Sequence, residues 1–398
     1  MTPPRCAFGA SLSGGDTSGP AKPVPRYPWY RAALPRCAVL AALAWRGTDM
    51  ATIKDVALHA GVSVTTVSHV VNDTRRVSPE GRSRVEAAIR ALGYVPSAVA
   101  RSLKSNTTRT LGMLTPNSSN PYFAEIVRVV EDRCFAAGYT LILCNTEDES
   151  PRQSVYLKVL AERRIDGLIV VSTGDDEALV TQLHGLPMPT VLLDREIDDP
   201  GCDLVETAHM DGGLLAVRHL LSLGHRRIAC IGGPEHVSAG EQRIEGWRLA
   251  LAESGAAPEA GELLWRGGFT SQGGYEAMHA ILRLDVGGES AAPRPSAVFV
   301  CNDLMAIGAL RAIHESGLRV PDDLSIVGFD DIELSAYTSP PLTTVAQPKD
   351  RIGALAVDML LERVTGRRLA TRKVVLQPEL RVRASTARLS SNPPTGAP

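Results

Sequence analysis

Apolar residues in the long middle part of the chain follow two alternating patterns. Short β-branched runs predict buried parallel strands, and the stretches between them have the 3.6-residue apolar period of amphipathic helices. The predicted strands are Leu111–Thr115, Thr140–Cys144, Gly167–Val171, Thr190–Leu193, Ile228–Ile231, Ala297–Cys301 and Ser325–Gly328. The predicted helices include Phe123–Ala137, Ser154–Arg163, Gly212–Leu223, Ala239–Glu253, Gln272–Leu284 and Asp303–Ser316.

This alternation of strand and helix predicts a doubly wound α/β architecture over residues 110–389. A segment of this length favours two such lobes over one. Ligands of this architecture bind at the carboxyl ends of the strands, between the lobes. We therefore expect residues 110–389 to form one two-lobed ligand-binding domain.

Helix signals of a different kind occupy residues 50–96. Thr52 and Asp55 have the spacing of a capping box, and this first helix should stop at Gly61. Ser63 then caps a second helix over Val64–Val71. Two short helices around such a tight turn predict a helix-turn-helix, whose second helix lies in the major groove of DNA.

A third helix completes this small domain. It is announced by Ser78-Pro79-Glu80 and should end at Gly93. Its apolar face would pack against the inward positions of the second helix, which are Val67, Val70 and Val71. The outward positions of the second helix are Val64, Thr65, Ser68 and His69. The expected result is a three-helix core with one polar face.

The two ends of the chain carry no such pattern. Residues 1–49 contain seven Pro and five Gly and no sustained apolar period, so we expect them to be disordered. Either this segment is an upstream extension created by a wrong start codon, with Met50 as the true start, or it is a real flexible tail. Residues 390–398 are expected to be a second flexible tail, and residues 384–398 show no leucine heptad.

Charge is unevenly distributed along the chain. The whole sequence has 42 Lys and Arg against 44 Asp and Glu, which excludes a uniformly basic protein. Residues 50–110 nevertheless hold nine basic and four acidic residues, a local charge of +5. This asymmetry favours an anionic partner, nucleic acid first, although a solvated basic face would give the same count.

Cysteine usage and hydropathy indicate the compartment. The seven cysteines include no C-x-x-C pair, and four of them lie within apolar stretches, namely Cys134, Cys144, Cys230 and Cys301. The apolar run 37–45 is far shorter than the roughly 20 residues of a membrane span, and it lacks a small-residue cleavage site. We expect a protein of the reducing cytoplasm with no membrane partner.

Three stretches of the DNA-binding segment resemble the lactose-repressor family, closest to its purine- and ribose-repressor branch. They are Ala51-Thr-Ile-Lys-Asp-Val-Ala, Gly61-Val-Ser-Val-Thr-Thr-Val-Ser and Tyr94-Val-Pro-Ser-Ala-Val-Ala-Arg-Ser-Leu-Lys104, and the likeness continues to about Arg383. The resemblance implies a homodimeric repressor on a pseudo-palindromic operator. The DNA-binding residues it implies in the first domain are Thr52, Val64, Thr65, Thr66, Ser68, His69 and Arg75. Many family members have Thr at position 64 or Arg at position 69, so the operator sequence is left open.

Residues 97–109 correspond to the hinge helix and linker of that family. A two-turn helix is marginal in water and should order only against a partner. The resemblance implies that Leu103 enters a central minor-groove step of the operator, flanked by Arg101 and Lys104. The alternative is a plain linker with one exposed leucine.

Hydrogen-bonding and aromatic side chains gather at the predicted strand ends and crossovers. A neutral sugar offers vicinal hydroxyls and two apolar ring faces, which carboxylates, an arginine and aromatic rings complement. Individually, Asp194-Arg195 could be a surface ion pair, Phe269 a core residue and Asn302 a helix cap. The candidate effector residues are Asn120, Tyr122, Phe123, Asp194, Arg195, Arg243, Phe269, Asn302, Asp330 and Gln347.

The same set resembles the pocket of ribose-binding proteins and ribose repressors, with Tyr122 where Phe is usual. Purine repressors carry Arg where Val237 stands, which favours D-ribose over a purine. No nucleotide-binding, nucleophile or metalloprotease motif is present, so we expect neither an enzyme nor a bound cofactor or metal. The open alternatives are a regulator responding to a purine or another sugar, a solute-binding protein, and a sugar-processing enzyme.

Overall fold

The computed structural model describes residues 51–96, 107–147, 149–171, 176–194, 201–235, 237–256, 263–286 and 294–389. The expectations for residues 1–49 and 390–398, and for most of the hinge, lie outside these ranges. The chain divides after Pro96 into two compact units.

The first unit contains the three predicted helices, α1 (Ile53–Ala60), α2 (Val64–Asn72) and α3 (Pro79–Leu92). The capping box is confirmed, because the Thr52 hydroxyl accepts from the Asp55 N–H and the Asp55 carboxylate accepts from the Thr52 N–H. Gly61 ends α1 with φ 61°, a left-handed conformation that glycine adopts without strain. The buried core of this unit is Val56, Ala57, Ala60, Val67, Val70, Val85 and Ala88.

The second unit alternates strands and helices as predicted. Its first part runs through β1 (Thr110–Thr115), α4 (Pro121–Ala136), β2 (Thr140–Asn145), α5 (Ser150–Glu162), β3 (Gly167–Val171), α6 (Asp176–His184), β4 (Thr190–Leu193) and β5 (Asp203–Thr207). Its second part runs through α7 (His209–Ser222), β6 (Ile228–Gly232), α8 (Ser238–Glu253), β7 (Leu264–Arg266), α9 (Ser271–Leu282), β8 (Ala297–Val300), α10 (Asp303–Glu315), β9 (Ser325–Asp330) and β10 (Thr343–Ala346). The last elements are α11 (Lys349–Val364), β11 (Lys373–Leu376) and β12 (Glu379–Arg381).

These strands form two six-stranded sheets, and each sheet is the centre of one lobe. The order in the first lobe is β11-β5-β4-β3-β1-β2, and all its neighbours are parallel. The order in the second lobe is β12-β10-β9-β8-β6-β7, in which only β12 is antiparallel to its neighbour. The chain crosses between the lobes after β5, after β10 and after β11. Three crossovers bring the carboxyl ends of both sheets to one cleft.

Successive side chains of a central strand point to opposite faces of its sheet. Met113 packs with Ile126 on one face, whereas Leu114 packs with Leu160 on the other. Both faces of the first sheet are therefore covered by helices, as the long apolar runs predict. The second lobe has one large core around Trp247, Phe299 and Phe329, all at most 1% exposed.

Two features of the fold differ from the sequence prediction. Strand β2 is a sheet edge, so only Cys144 of its six residues is buried and the expectation of a buried strand there is wrong. The apolar pattern also does not predict β5, β7, β10, β11 and β12, which are three to five residues long and include polar residues. Helices α4, α5 and α7 begin two to four residues before the predicted positions.

Candidate effector cleft and DNA-binding helices

A cavity of about 120 Å³ lies at the carboxyl ends of the two sheets, with walls from both lobes. Eight of the predicted effector residues line it: Asn120, Tyr122, Phe123, Asp194, Arg243, Phe269, Asn302 and Asp330. Gln347 lies directly behind this wall, because its side chain bonds to both Tyr122 and Asp330. Arg195 lies outside the described residues.

Two helices begin at the cleft, each with an asparagine cap. Asn120 caps α4 by accepting from the Tyr122 N–H at 3.1 Å, which fixes Tyr122 in the first turn. Asn302 caps α10 by accepting from the Met305 N–H at 2.9 Å. Asn302 also donates to the Phe269 carbonyl at 3.4 Å. The helix-cap alternative for Asn302 is thus correct, and the same side chain still lines the cleft.

Three cleft residues have a left-handed backbone that L-residues rarely adopt. The φ angles are 53° at Asp194, 58° at Phe269 and 112° at Asp330. Such conformations cost about 1–3 kcal/mol each and cluster at functional sites. The Phe269 ring lies against Gly233, where an added Cβ would be 2.3 Å from the ring. The sharp turns direct these side chains into the cleft.

Asp194 is held by protein donors on both of its carboxylate oxygens. Oδ2 accepts from the Tyr122 hydroxyl, and Oδ1 accepts from the Thr207 N–H at 3.2 Å. His209 Nε2 lies 3.5 Å from Oδ1. Burial acts to raise the pKa of Asp194, but these neighbours and the Arg243 charge hold the pKa below its usual value. Asp194 is therefore an ionised acceptor at neutral pH.

Asp330 has a different environment on the opposite lobe. Its Oδ1 accepts from Gln347 Nε2 at 2.8 Å and lies 3.4 Å from Arg243 Nη1. Burial raises the pKa of Asp330 to about 6, although the Arg243 charge opposes this shift. The Oδ2 atom accepts no hydrogen bond from the part of the chain that the structure describes. Asp330 thus has an acceptor to offer a ligand.

Arg243 extends from α8 and is only 5% exposed. Its Nη1 donates to the Cys301 carbonyl at 2.6 Å, and its Nε donates to His209 Nδ1 at 3.4 Å. The guanidinium carbon lies 3.9 Å from the centre of the Phe329 ring. Most of its N–H donors therefore point to protein acceptors, so few of them are left to bind the ligand that the sequence prediction assigns to this residue.

His209, which joins Asp194 to Arg243, is not among the residues predicted from the sequence. It is the first residue of α7, whereas the predicted helix began at Gly212. A single histidine outside an apolar period gives no pattern to detect. The available signal was its position two residues beyond a strand end, since such residues line the clefts of doubly wound folds.

In the first unit, helix α2 exposes Val64 and Thr65 at its start, while Ser68 and His69 are half-buried. The Thr66 N–H donates to Ser63 Oγ at 3.0 Å as part of the cap. His69 Nδ1 lies 2.8 Å from Thr74 Oγ1, which leaves Nε2 as its outward nitrogen.

The Thr52 hydroxyl is engaged with Asp55 at 2.7 Å in the capping box, while Arg75 is exposed. Arg101, Leu103 and Lys104 lie outside the described residues.

Asp166 attaches the last residues of the hinge-and-linker segment to the first lobe. Its carboxylate accepts from the backbone N–H groups of Thr108 and Arg109, each at 2.7 Å, and from the Thr107 hydroxyl. No local sequence pattern predicts this attachment, because the partners are more than 50 residues apart.

Two absences hold for the described ranges. None of the helices there is long and apolar enough to span a membrane. No group of three or more His, Cys, Asp or Glu side chains there could hold a metal ion. The cysteines predicted to be core residues, Cys134, Cys144, Cys230 and Cys301, are buried and free.

Comparison with known proteins places both units. Residues 52–97 match the model of bacterial regulatory proteins of the lacI family, and residues 217–386 match a periplasmic binding protein-like domain. The HTH-type transcriptional repressor PurR of Aliivibrio fischeri (strain MJ11) is 45% identical over 337 residues, which cover 84% of this chain and 98% of that protein. The chain belongs to the lacI family.

Other relatives of this lacI-family protein match it over nearly their whole length. The ribose operon repressor of Escherichia coli (strain K12) is 44% identical over 338 residues, 84% of this chain and all of that protein. A lac repressor dimer bound to operator and the anti-inducer ONPF has a TM-score of 0.76 at 32% identity, covering 85% of this chain and 99% of that one. A regulator from Enterococcus faecium with bound ribose has a TM-score of 0.63 at 33% identity, covering 71% of this chain and all of that one.

These likenesses confirm the predicted fold, a lacI-type helix-turn-helix followed by a two-lobed periplasmic-binding-protein-like domain. They also confirm the predicted class, because the relatives are transcriptional repressors and not enzymes. The alternatives of a solute-binding protein and a sugar-processing enzyme are thereby set aside. The identities to PurR and to the ribose operon repressor are nearly equal, so overall similarity does not distinguish the effector.

Proposed function

We propose that this lacI-family repressor responds to D-ribose, which binds in the cleft between the lobes. In this proposal a homodimer holds a pseudo-palindromic operator in the cytoplasm and is released when the sugar binds. The observation that carries the effector assignment is the convergence of Asp194, Asp330 and Arg243 on a small cleft that also contains Phe123 and Phe269.

The chemistry of these groups suits a sugar with vicinal hydroxyls. Each hydroxyl can donate one hydrogen bond and accept others, so it can bridge a carboxylate and a cation. Asp330 Oδ2 is an available acceptor, and Arg243 supplies positive charge on the same lobe. Aromatic rings at Phe123 and Phe269 offer flat apolar surfaces for the faces of the sugar ring. A small cavity favours a pentose over a hexose with its extra hydroxymethyl group.

The PurR relatives favour a second candidate, a purine effector. Val237 argues against a purine effector. Purine repressors carry an arginine at this position, whereas Val237 is apolar and forms part of the cleft wall. A purine base lacks vicinal hydroxyls, and its ring N–H groups can only donate, so none of them can bridge a carboxylate and the Arg243 cation as a sugar hydroxyl can. D-ribose is therefore the first ligand to test and hypoxanthine the second.

Titration calorimetry of the full chain tests the effector. We expect D-ribose to bind, and D-glucose and hypoxanthine to bind much more weakly or not at all. In Asp330→Ala, D-ribose affinity should fall at least roughly tenfold, because 1.4 kcal/mol corresponds to tenfold. Operator binding by this variant should persist. Tight hypoxanthine binding without D-ribose binding would replace the effector and leave the repressor assignment standing.

The proposed release is a shift between two states of the protein. D-ribose lowers operator affinity only if it binds the state that does not hold the operator more tightly. We assign operator binding to residues 50–96, with Val64, Thr65 and His69 facing bases, and the hinge to residues 97–109. Operator affinity measured by fluorescence anisotropy should fall as D-ribose is added. An unchanged or increased affinity would contradict induction by this sugar.

A further inference from the structure

His209 stands where the chain first crosses from one lobe to the other. It directly follows the Thr207–Ala208 crossover and opens α7 in the second lobe. Its side chain is 3% exposed. The first turn of α7 is fixed against the sheet, because a Cβ added to Gly212 would lie 2.6 Å from the Phe329 ring. The packing of α7 against the sheet thus fixes the position of the imidazole.

The neighbours of the imidazole determine which of its two ring nitrogens carries the hydrogen. Nδ1 lies 3.4 Å from both Nε and Nη2 of Arg243, and a guanidinium can only donate. Nδ1 is therefore the acceptor and Nε2 carries the hydrogen. Burial and the Arg243 charge lower the pKa of His209, which keeps the ring neutral.

The Nε2–H has no hydrogen-bond partner at normal distance among the described residues. Its nearest acceptor is Asp194 Oδ1, at 3.5 Å. Buried polar groups in folded proteins almost always have partners, so an unpaired one directly behind the residues of a ligand cleft points to a role there. This N–H therefore lies beside a carboxylate of the candidate site.

His209 also closes a ring of side chains that spans both lobes. The Tyr122 hydroxyl lies 3.1 Å from Gln347 Oε1, and Gln347 Nε2 donates to Asp330 at 2.8 Å. Asp330 then meets Arg243, and His209 connects Arg243 back to the carboxylate that Tyr122 also binds. The complete ring is Tyr122, Gln347, Asp330, Arg243, His209 and Asp194.

We propose that His209 is a positioning residue of the effector site. Its neutral imidazole accepts from Arg243 and donates to Asp194, so that the cation of one lobe and the carboxylate of the other face the sugar together. When the lobes enclose the ligand, the long Nε2–Oδ1 contact shortens into a hydrogen bond. This inference rests on the proposed ribose site and adds to it a residue that contacts the ligand only through others.

The test uses the full chain and D-ribose as the titrant. His209→Met removes both polar atoms and should weaken D-ribose binding about tenfold or more. His209→Gln has nearly the same shape as the methionine variant but restores one acceptor and one donor, so it should bind within about threefold of the wild type. His219→Leu is the matched control, because that histidine lies on the same helix and bonds to Thr386. We expect its D-ribose affinity to be unchanged.

A double-mutant cycle separates positioning from a merely structural role. If His209 acts through Asp194, the losses in His209→Met and Asp194→Asn should not add in the double variant. Additive losses, or equal affinities of His209→Met and His209→Gln, would overturn the inference. Thermal melting checks folding, and His209→Ala replaces the methionine variant if that one does not fold.

The same measurements distinguish this inference from the proposed effector. If the wild type binds hypoxanthine and not D-ribose, the effector proposal is wrong, and the cycle is run with hypoxanthine. If the wild type binds D-ribose while His209→Met behaves like His219→Leu, only the positioning role is wrong. If neither compound binds, both proposals are wrong.

Discussion

Replacing Asp330 by asparagine removes a buried, titrating carboxylate and keeps its shape. Asp330 is 3% exposed, and its Oδ1 accepts from Gln347 Nε2 at 2.8 Å. An asparagine oxygen can accept the same hydrogen bond, so the local geometry should survive. The substitution therefore isolates the charge of this side chain.

The magnitude follows from the pKa of Asp330. Burial raises this pKa from 3.8 to about 6 in the folded protein. The folded state consequently binds the proton more tightly than the unfolded state between these two values. The stability this group contributes is fully present below about pH 3.8 and is lost as the pH rises through about 6. At roughly 1.4 kcal/mol for each pKa unit, the loss amounts to about 3 kcal/mol.

Urea unfolding of the wild type and Asp330→Asn between pH 4.5 and 7.5 measures this effect. The free energy of unfolding of the variant, relative to that of the wild type, should rise by about 2 kcal/mol over this range. Asp350→Asn, which replaces a carboxylate that is 88% exposed, is the matched control and should show a constant difference. A difference for Asp330→Asn that does not change with pH would refute the reasoning.

The same carboxylate links ligand binding to pH. Protonation removes the charge that the sugar hydroxyls would meet, so D-ribose affinity of the wild type should decrease as the pH falls below about 6. Asp330→Asn should bind D-ribose weakly at every pH and lack this step. The buried charge of Asp330 would thus lower the free energy of unfolding and raise ligand affinity, a trade-off that is common at functional sites.

Three further predictions concern other parts of the chain. Arg368→Ala should lower the free energy of unfolding by about 3–5 kcal/mol, because Asp203 is fully buried and bonds to this arginine at 2.7 Å. Arg311→Ala, at an exposed ion pair, should lower it far less, because solvent screens that pair. His69→Ala should weaken operator binding and leave non-specific DNA binding nearly unchanged; equal losses on both DNAs in anisotropy titrations would argue against base contact. Leu103→Ala should reduce both operator affinity and the DNA bend in a phasing assay without altering D-ribose affinity, and an undiminished bend would exclude the wedge.

Local features were determined by the sequence itself. The caps at Thr52, Ser63 and Asn302 and the helix stop at Gly61 depend on residues within one turn, so spacing alone predicts them. Central strands such as Gly167–Val171 are buried on both faces and therefore read as uninterrupted apolar runs. The candidate effector residues could also be predicted from the sequence, because ligand-facing side chains follow strand ends in this architecture.

Only the tertiary structure decided which of these residues meet. Asp194 and the Tyr122 hydroxyl are 72 positions apart, and Asp203 and Arg368 are 165 apart. Such pairs depend on strand order and on three crossovers that return β11 to the first sheet and β12 to the second. His209 enters the site for the same reason, since its crossover brings it between Asp194 and Arg243. Periodicity in one sequence records which face of an element is buried, but it contains no information about the element that covers that face.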